Sequence, residues 1–338
     1  VNIRALVKPN VRRLSAYEAK EIPCRVKLDA NESPYGFSFF KNIPTNRYPD
    51  PEAKELKTTL AKQLKLKSKN ILVGNGSDEL IYYLVTTFGG AVLYPTPTFS
   101  MYGIISKALG EKTIEIPLDP SFDLNMKKIL DAIKKHKPKL LFLSSPNNPT
   151  GNCFSTERIL MLIEKSKGIV VVDEAYQPFS SERGFIPFLK DYKNLLIMRT
   201  LSKIGLAALR VGFLIGDEEV INEVNKVRLP FNLNSISQAL AVRALKDKKQ
   251  MRSAISSIVS ERERLSKELA EIKGVMAYPS EANFILFKVK NPEKVYAGLL
   301  KKGVLIRNMK GVINGCLRVT VGSKKENDIF LRALREVL

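Results

Sequence analysis

The chain has 338 residues, of which 44% are hydrophobic and 26% charged, an ordinary globular balance that excludes a disordered chain and exceeds the usual size of a single core. Lysine and arginine number 55 against 34 aspartates and glutamates, and a formal net charge of +21 is compatible with nucleic acid, an anionic membrane or anionic small molecules as partners. Three scattered cysteines without CxxC spacing (Cys24, Cys153, Cys316) and one histidine, His136 in KKHKPK, argue against a disulfide framework, a metal site or a histidine triad.

The longest apolar runs, such as GIVVVDEA and KLLFLSS, fall far short of the roughly 20 residues that a membrane helix needs, so no membrane association is expected. The stretch VNIRALVKPNVRRL shows no apolar segment followed by a small-residue cleavage site, and a cytoplasmic location is expected. Lysines are spread through KQLKLKSK, KKIL, KKHKPK and KDKK, with no interleaved aromatic cluster, RNP-like strand or zinc finger. They read as a solvated surface with a general attraction for anions, and no nucleic acid is expected. A non-catalytic basic module that binds anions or nucleic acid stands as the rival of a different class.

Residues 1–45 have weak periodicity and are expected to form an N-terminal arm that contributes to a small domain. From about residue 70 to 230, the short apolar runs NILV, AVLY, KTIEI, KLLFL, IVVVD, LLIM and VGFLI alternate with helix-length amphipathic patterns. This alternation predicts an α/β fold, a mainly parallel seven-stranded sheet between helices, in a large domain over 46–248. The stretch QMRSAISSIVSERERLSKELAEIKG predicts a long helix capped by Gly274. After it, VMAYPS, NFILFKV, GVLIRN and CLRVTVG read as strands and KKENDIFLRALREVL as a final helix, a smaller α+β domain over 249–338.

Ligands of such sheets bind beyond the carboxyl ends of the strands, where this chain places unusual residues. ILVGNGSDEL is a strand, a glycine turn at Gly76 and a helix opened by Ser77 and Asp78, whose free N–H groups suit a phosphate; the same residues serve elsewhere simply as helix starts. LFLSSPNNPTGN ends a strand in a loop where Asn148 either presents its amide to a ligand or shapes a turn. IVVVDEAYQPF puts Asp173 at the end of a buried strand, a costly position for a carboxylate without a cation. In RTLSKIGLAALR, Lys203 follows a strand into the same crevice, where a desolvated lysine becomes a nucleophilic amine able to form a Schiff base. Thr200, Ser202 and Arg210 supply hydroxyl and guanidinium donors for a phosphate. A carboxylate, a lysine and a phosphate cradle at successive strand ends meet the needs of pyridoxal 5'-phosphate.

SSPNNPTG, VVDEAYQPF and RTLSKIGLAALRVGF resemble the fold-type I pyridoxal-phosphate aminotransferases. KLDANESPYG, NRYPDPEAKELKTTLA and CLRVTVGSKKEND extend the likeness over most of the chain and bring it closest to the histidinol-phosphate branch. The resemblance implies that Lys203 bonds the cofactor and moves the substrate proton, Asp173 pairs with the ring nitrogen, Tyr176 and Asn148 bond the ring oxygen, and Tyr102 stacks on the ring. Gly76, Ser77, Asp78, Thr200, Ser202 and Arg210 would hold the phosphate, with Tyr48 reaching across from the partner of a homodimer. Arg318 and Arg307 would bind the substrate anion, while Tyr17, Asn31 and Glu32 close over the substrate and Glu32 meets its imidazole. The implied reaction exchanges an amino group between L-histidinol phosphate and 2-oxoglutarate, giving glutamate, in histidine biosynthesis. An aminotransferase for aromatic amino acids and an L-threonine-O-3-phosphate decarboxylase are the nearer alternatives.

Overall fold

A computed structural model describes residues 24–28, 31, 34 and 49–338. In chain order the strands are β1 (Val26–Lys27), β2 (Ile71–Asn75), β3 (Val92–Thr96), β4 (Thr113–Pro117), β5 (Leu140–Ser144), β6 (Ile169–Asp173), β7 (Leu195–Thr200), β8 (Val211–Gly216), β9 (Val275–Ala277), β10 (Phe284–Val289), β11 (Val304–Leu305), β12 (Arg307–Asn308) and β13 (Cys316–Thr320). Seven of them form one sheet in the order β2-β8-β7-β6-β5-β3-β4. Only β8 runs against its neighbours. The other pairings are parallel.

These strands read as unbroken apolar runs because both faces of the sheet are covered. Val171, Phe142, Leu196 and Met198 pack on one side beneath the helices Gly76–Phe88, Met101–Ala108 and Glu218–Asn225. Val170, Val172, Leu141 and Ile197, one residue out of step, pack on the other beneath Lys54–Leu64, Met126–His136 and Thr156–Lys165. The period of two therefore shows in which core each residue joins rather than in alternating polarity. All seven predicted strands are present.

The helix Lys248–Ala270, about 35 Å long at 1.5 Å per residue, leads from this domain to a smaller one. There a four-stranded antiparallel sheet in the order β12-β13-β10-β9 packs with the helices Pro292–Lys301 and Lys324–Val337. The last helix opens with a reciprocal capping box between Ser323 and Glu326. Gly274 does not cap the long helix as expected: the helix ends at Ala270, and Gly274, at φ 86°, turns the chain into β9. β1 pairs in parallel with β11, so the segment around Val26 adds to the C-terminal half of the molecule. Buried Arg262 on the long helix fastens the two parts, donating to the backbone oxygens of Phe179 at 2.9 Å and Ala282 at 3.2 Å.

Candidate active site

Asp173 ends β6, the middle strand of the large sheet, and is 3% exposed. Its Oδ2 accepts from the Tyr102 hydroxyl at 2.6 Å and its Oδ1 from the Ala175 N–H at 3.0 Å. Burial pushes its carboxyl up to about 6, against the lowering effects of those two donors and of the Lys203 charge. A carboxylate with neutral donors in a dry place is ready to receive a cationic N–H.

Tyr102 does not take the position the resemblance implied. It has no exposed surface, its ring lies flat on Phe142 at 4.7 Å between centroids and 8° between planes, and its hydroxyl is turned to Asp173. The ring belongs to the core beneath the sheet, where it holds the carboxylate in place rather than covering a ligand. The part-exposed aromatic of this turn is Phe99, edge-on to Tyr102 at 5.6 Å. Spacing alone does not say which aromatic of TFSMYG faces a crevice, and packing on Phe142 turns Tyr102 away from it.

Lys203 lies in one wide helical turn, Ser202–Leu206, which Gly205 closes at φ 95°. Its Nζ is 5.8 Å from the centroid of the Tyr176 ring. Beside it the hydroxyls of Thr200 and Ser202 lie 3.0 Å apart, and Thr200 Oγ1 also accepts from the Ser202 N–H at 3.1 Å. Arg210, in the left-handed region at φ 53°, brings its guanidinium over the start of the helix Gly76–Phe88 and donates to Asp78 Oδ2 at 3.2 Å. That helix begins at Gly76 with no side-chain cap on its first turn, so its leading N–H groups remain available to an anion. Two glycines allow the approach. A Cβ on Gly76 would lie 2.5 Å from the Arg210 guanidinium, and one on Gly212 would lie 2.7 Å from the Gly76 carbonyl carbon and 2.9 Å from Ser77 N.

The adjacent asparagines of SSPNNPTG divide the two readings of that loop. Asn147, fully buried, shapes it: its Nδ2 donates to Pro97 O at 3.0 Å and Thr150 Oγ1 at 2.8 Å, and its Oδ1 accepts from Thr98 Oγ1 at 2.8 Å. Asn148 faces the crevice, with Nδ2 donating to the Tyr176 hydroxyl at 3.3 Å and Oδ1 accepting from Arg318 Nη1. Arg318 is 8% exposed, lies 4.8 Å from the centroid of the Phe284 ring and stands directly across the ladder from Arg307, which is exposed. Two cations side by side on one sheet face repel unless an anion joins them.

Asn31 is also buried, with its side-chain amide turned to Tyr176 and Thr320 rather than toward a substrate. Tyr17, Glu32 and Tyr48 lie outside the described residues. Sequence reading missed Glu174, fully buried, which pairs with Arg199 at 2.7 Å and accepts from the Phe185 N–H at 2.5 Å. A second acid after Asp173 gave no sign of which neighbour it would meet.

The chain as a whole has counterparts among known proteins. The model of "Aminotransferase class I and II" matches residues 13–334. The chain is 43% identical over 349 residues, 98% of each chain, to the histidinol-phosphate aminotransferase of Aquifex aeolicus. It is 41% identical over 351 residues, 99% of each, to that of Caldanaerobacter subterraneus subsp. tengcongensis. It is similar in structure, with a TM-score of 0.81 and 27% identity, to the histidinol-phosphate aminotransferase from Clostridium acetobutylicum, over 87% of this chain and 91% of that one.

Proposed function

The chain belongs to the class I and II aminotransferase family, and from that premise we infer that it transfers an amino group between L-histidinol phosphate and 2-oxoglutarate, using pyridoxal 5'-phosphate in a homodimer. The substrate reading is carried by the near full-length likeness to two histidinol-phosphate aminotransferases. The residues present fit the cofactor. The glycine-cleared space between Arg210 and the uncapped helix start suits its phosphate, and the raised carboxyl of Asp173 suits its ring N–H.

When bound, the cofactor supplies an electrophilic carbon for amines and a ring that withdraws electrons from the substrate carbon. The protein's part is positional and protolytic. Asp173, with both oxygens oriented by Tyr102 and Ala175, would pair with the ring nitrogen and favour its positive charge. Lys203 Nζ would act as the general base that takes the proton from the substrate carbon. Arg210, Ser202, Thr200, Ser77 and the N–H groups after Gly76 would hold the phosphate. Arg318, steadied by Asn148 and the Phe284 face, binds the anionic end of the substrate with Arg307 beside it. Tyr48, Tyr17 and Glu32 keep the partner-phosphate and substrate roles proposed for them. Leu229, Phe231 and Ile236, exposed apolar side chains close together in sequence, support a face that a second copy covers.

The test is the visible absorbance of the pyridoxal-loaded protein titrated with L-histidinol phosphate, with phenylalanine and O-phosphothreonine in parallel. Bleaching by histidinol phosphate at concentrations about 100-fold below the other two is expected. Bleaching by phenylalanine alone would move the substrate to aromatic amino acids, and a colourless protein would overturn the cofactor.

A further inference from the structure

Asn31 spends every polar group it has. Its N–H donates to Thr320 Oγ1 at 3.1 Å, and the Thr320 hydroxyl donates back to Asn31 Oδ1 at 2.9 Å. Its backbone oxygen accepts from Asn283 Nδ2 at 3.0 Å. Its Nδ2 crosses to the large domain and donates to the Tyr176 hydroxyl at 3.1 Å. The residue is 2% exposed and sits at φ 53°, where asparagine is tolerated better than most side chains. Thr320 and Asn283 are buried too; Thr320 ends β13, which carries Arg318, and Asn283 immediately precedes its partner strand β10.

A phenolic oxygen has two lone pairs and one proton. In Tyr176 both lone pairs are engaged, by Asn31 Nδ2 at 3.1 Å and Asn148 Nδ2 at 3.3 Å. The hydroxyl can no longer accept from a ligand, so it can only donate to one. The ring of Tyr176 also lies beside Lys203 Nζ and edge-on to Phe284 at 5.1 Å, so the phenol stands between the reactive amine and the small domain.

We propose that Asn31 is a positioning residue that, together with Asn148, fixes Tyr176 as a hydrogen-bond donor toward the cofactor ring oxygen, and that it ties this donation to the seating of the β13 strand through Thr320. The proposal rests on the pyridoxal-phosphate reading of the site. A donor to the ring oxygen would stabilise negative charge on that oxygen, so losing the donor would raise the pH at which the visible band of the loaded protein changes. Because Thr320 and Arg318 share one face of β13, two residues apart, the same linkage makes that midpoint sensitive to how the substrate-binding strand sits.

The experiment titrates the visible band of the loaded protein with pH in wild type, Tyr176→Phe, Asn31→Gly, Asn31→Asp and Thr320→Val. Glycine keeps the left-handed backbone and its two backbone hydrogen bonds while deleting the amide. Aspartate keeps the acceptor for Thr320 but replaces the donor to Tyr176 with a second acceptor, which draws the phenolic proton away from the cofactor. Tyr176→Phe should raise the midpoint by about 1 pH unit, and Asn31→Asp and Asn31→Gly by at least about 0.5. Thr320→Val, which touches no ligand, should move it in the same direction, and kcat should fall in all four while KM for the anionic substrate changes most in Thr320→Val. If Tyr176→Phe shifts the midpoint and the Asn31 variants do not, even with a lowered Tm, Asn31 is merely structural and the proposal fails. If Tyr176→Phe leaves it unmoved as well, the placement of Tyr176 on the ring oxygen is what fails.

Discussion

Asp173 concentrates the physical cost of this site in one carboxyl. Folded without cofactor, that group sits at about 6, against 3.8 for an ordinary aspartate, because burial outweighs its hydrogen bonds. The folded state then binds the proton more tightly than the unfolded one, so stability falls as pH rises from about 4 through about 6 and stays lowered above that window. The term is on the order of 3 kcal/mol. Asp173→Asn does not titrate there, so the difference in apoprotein Tm between wild type and variant should move against the wild type across the window and then level off. A difference that stays flat would mean that the carboxyl is hydrated. Bound cofactor should reverse the ranking at neutral pH, since a protonated ring nitrogen gives the charge a partner.

At the scale of elements, two turns set the geometry. β8 lies so close to the start of the helix Gly76–Phe88 that Gly212→Ala would press a methyl into backbone, which cannot swing aside as a side-chain end can. The expected result is a shift of the helix start, at least about 10-fold weaker cofactor retention and a lower Tm; unchanged retention by equilibrium dialysis would separate the helix start from phosphate binding. Glu174 fastens the stretch after β6 from below. Glu174→Leu should lower stability by roughly 3 kcal/mol by leaving the Arg199 charge, 16% exposed, without its carboxylate. Glu174→Leu combined with Arg199→Met should regain most of that loss in urea unfolding, and failure to do so would show that the Phe185 N–H bond matters more than the ion pair.

At the scale of the whole molecule, the candidate site takes residues from both domains and, in the proposed homodimer, would take Tyr48 from a second subunit. Lys203→Ala subunits retain Tyr48, and Tyr48→Phe subunits retain Lys203. Mixed and reassociated, they should form hybrids in which one site has both, so cofactor affinity at that site returns to the wild-type value. A hybrid no better than Tyr48→Phe alone would place Tyr48 in its own subunit's site. The net charge of +21 fits an enzyme whose cofactor and substrates all carry phosphate or carboxylate groups, and raised salt should weaken their binding.

The seven strands of the large domain, the long helix and the unusual placing of Lys203, Asp173 and Arg210 at strand ends were legible in the sequence. Each announces itself locally, through an apolar run of strand length or a charge where a core would reject one. What touches what was not legible there. Tyr102 and Phe99 are equally aromatic and three residues apart, and only packing on Phe142 turns one into the core and leaves the other at the turn. Asn147 and Asn148 are chemically identical, and the fold alone gives one to the loop and the other to Arg318 and Tyr176. Asn31 meets Tyr176, Asn283 and Thr320 across 145 to 289 residues of chain. Propensity and periodicity act over a turn or two, whereas hydrogen bonds that join two domains exist only once both have closed on the same space.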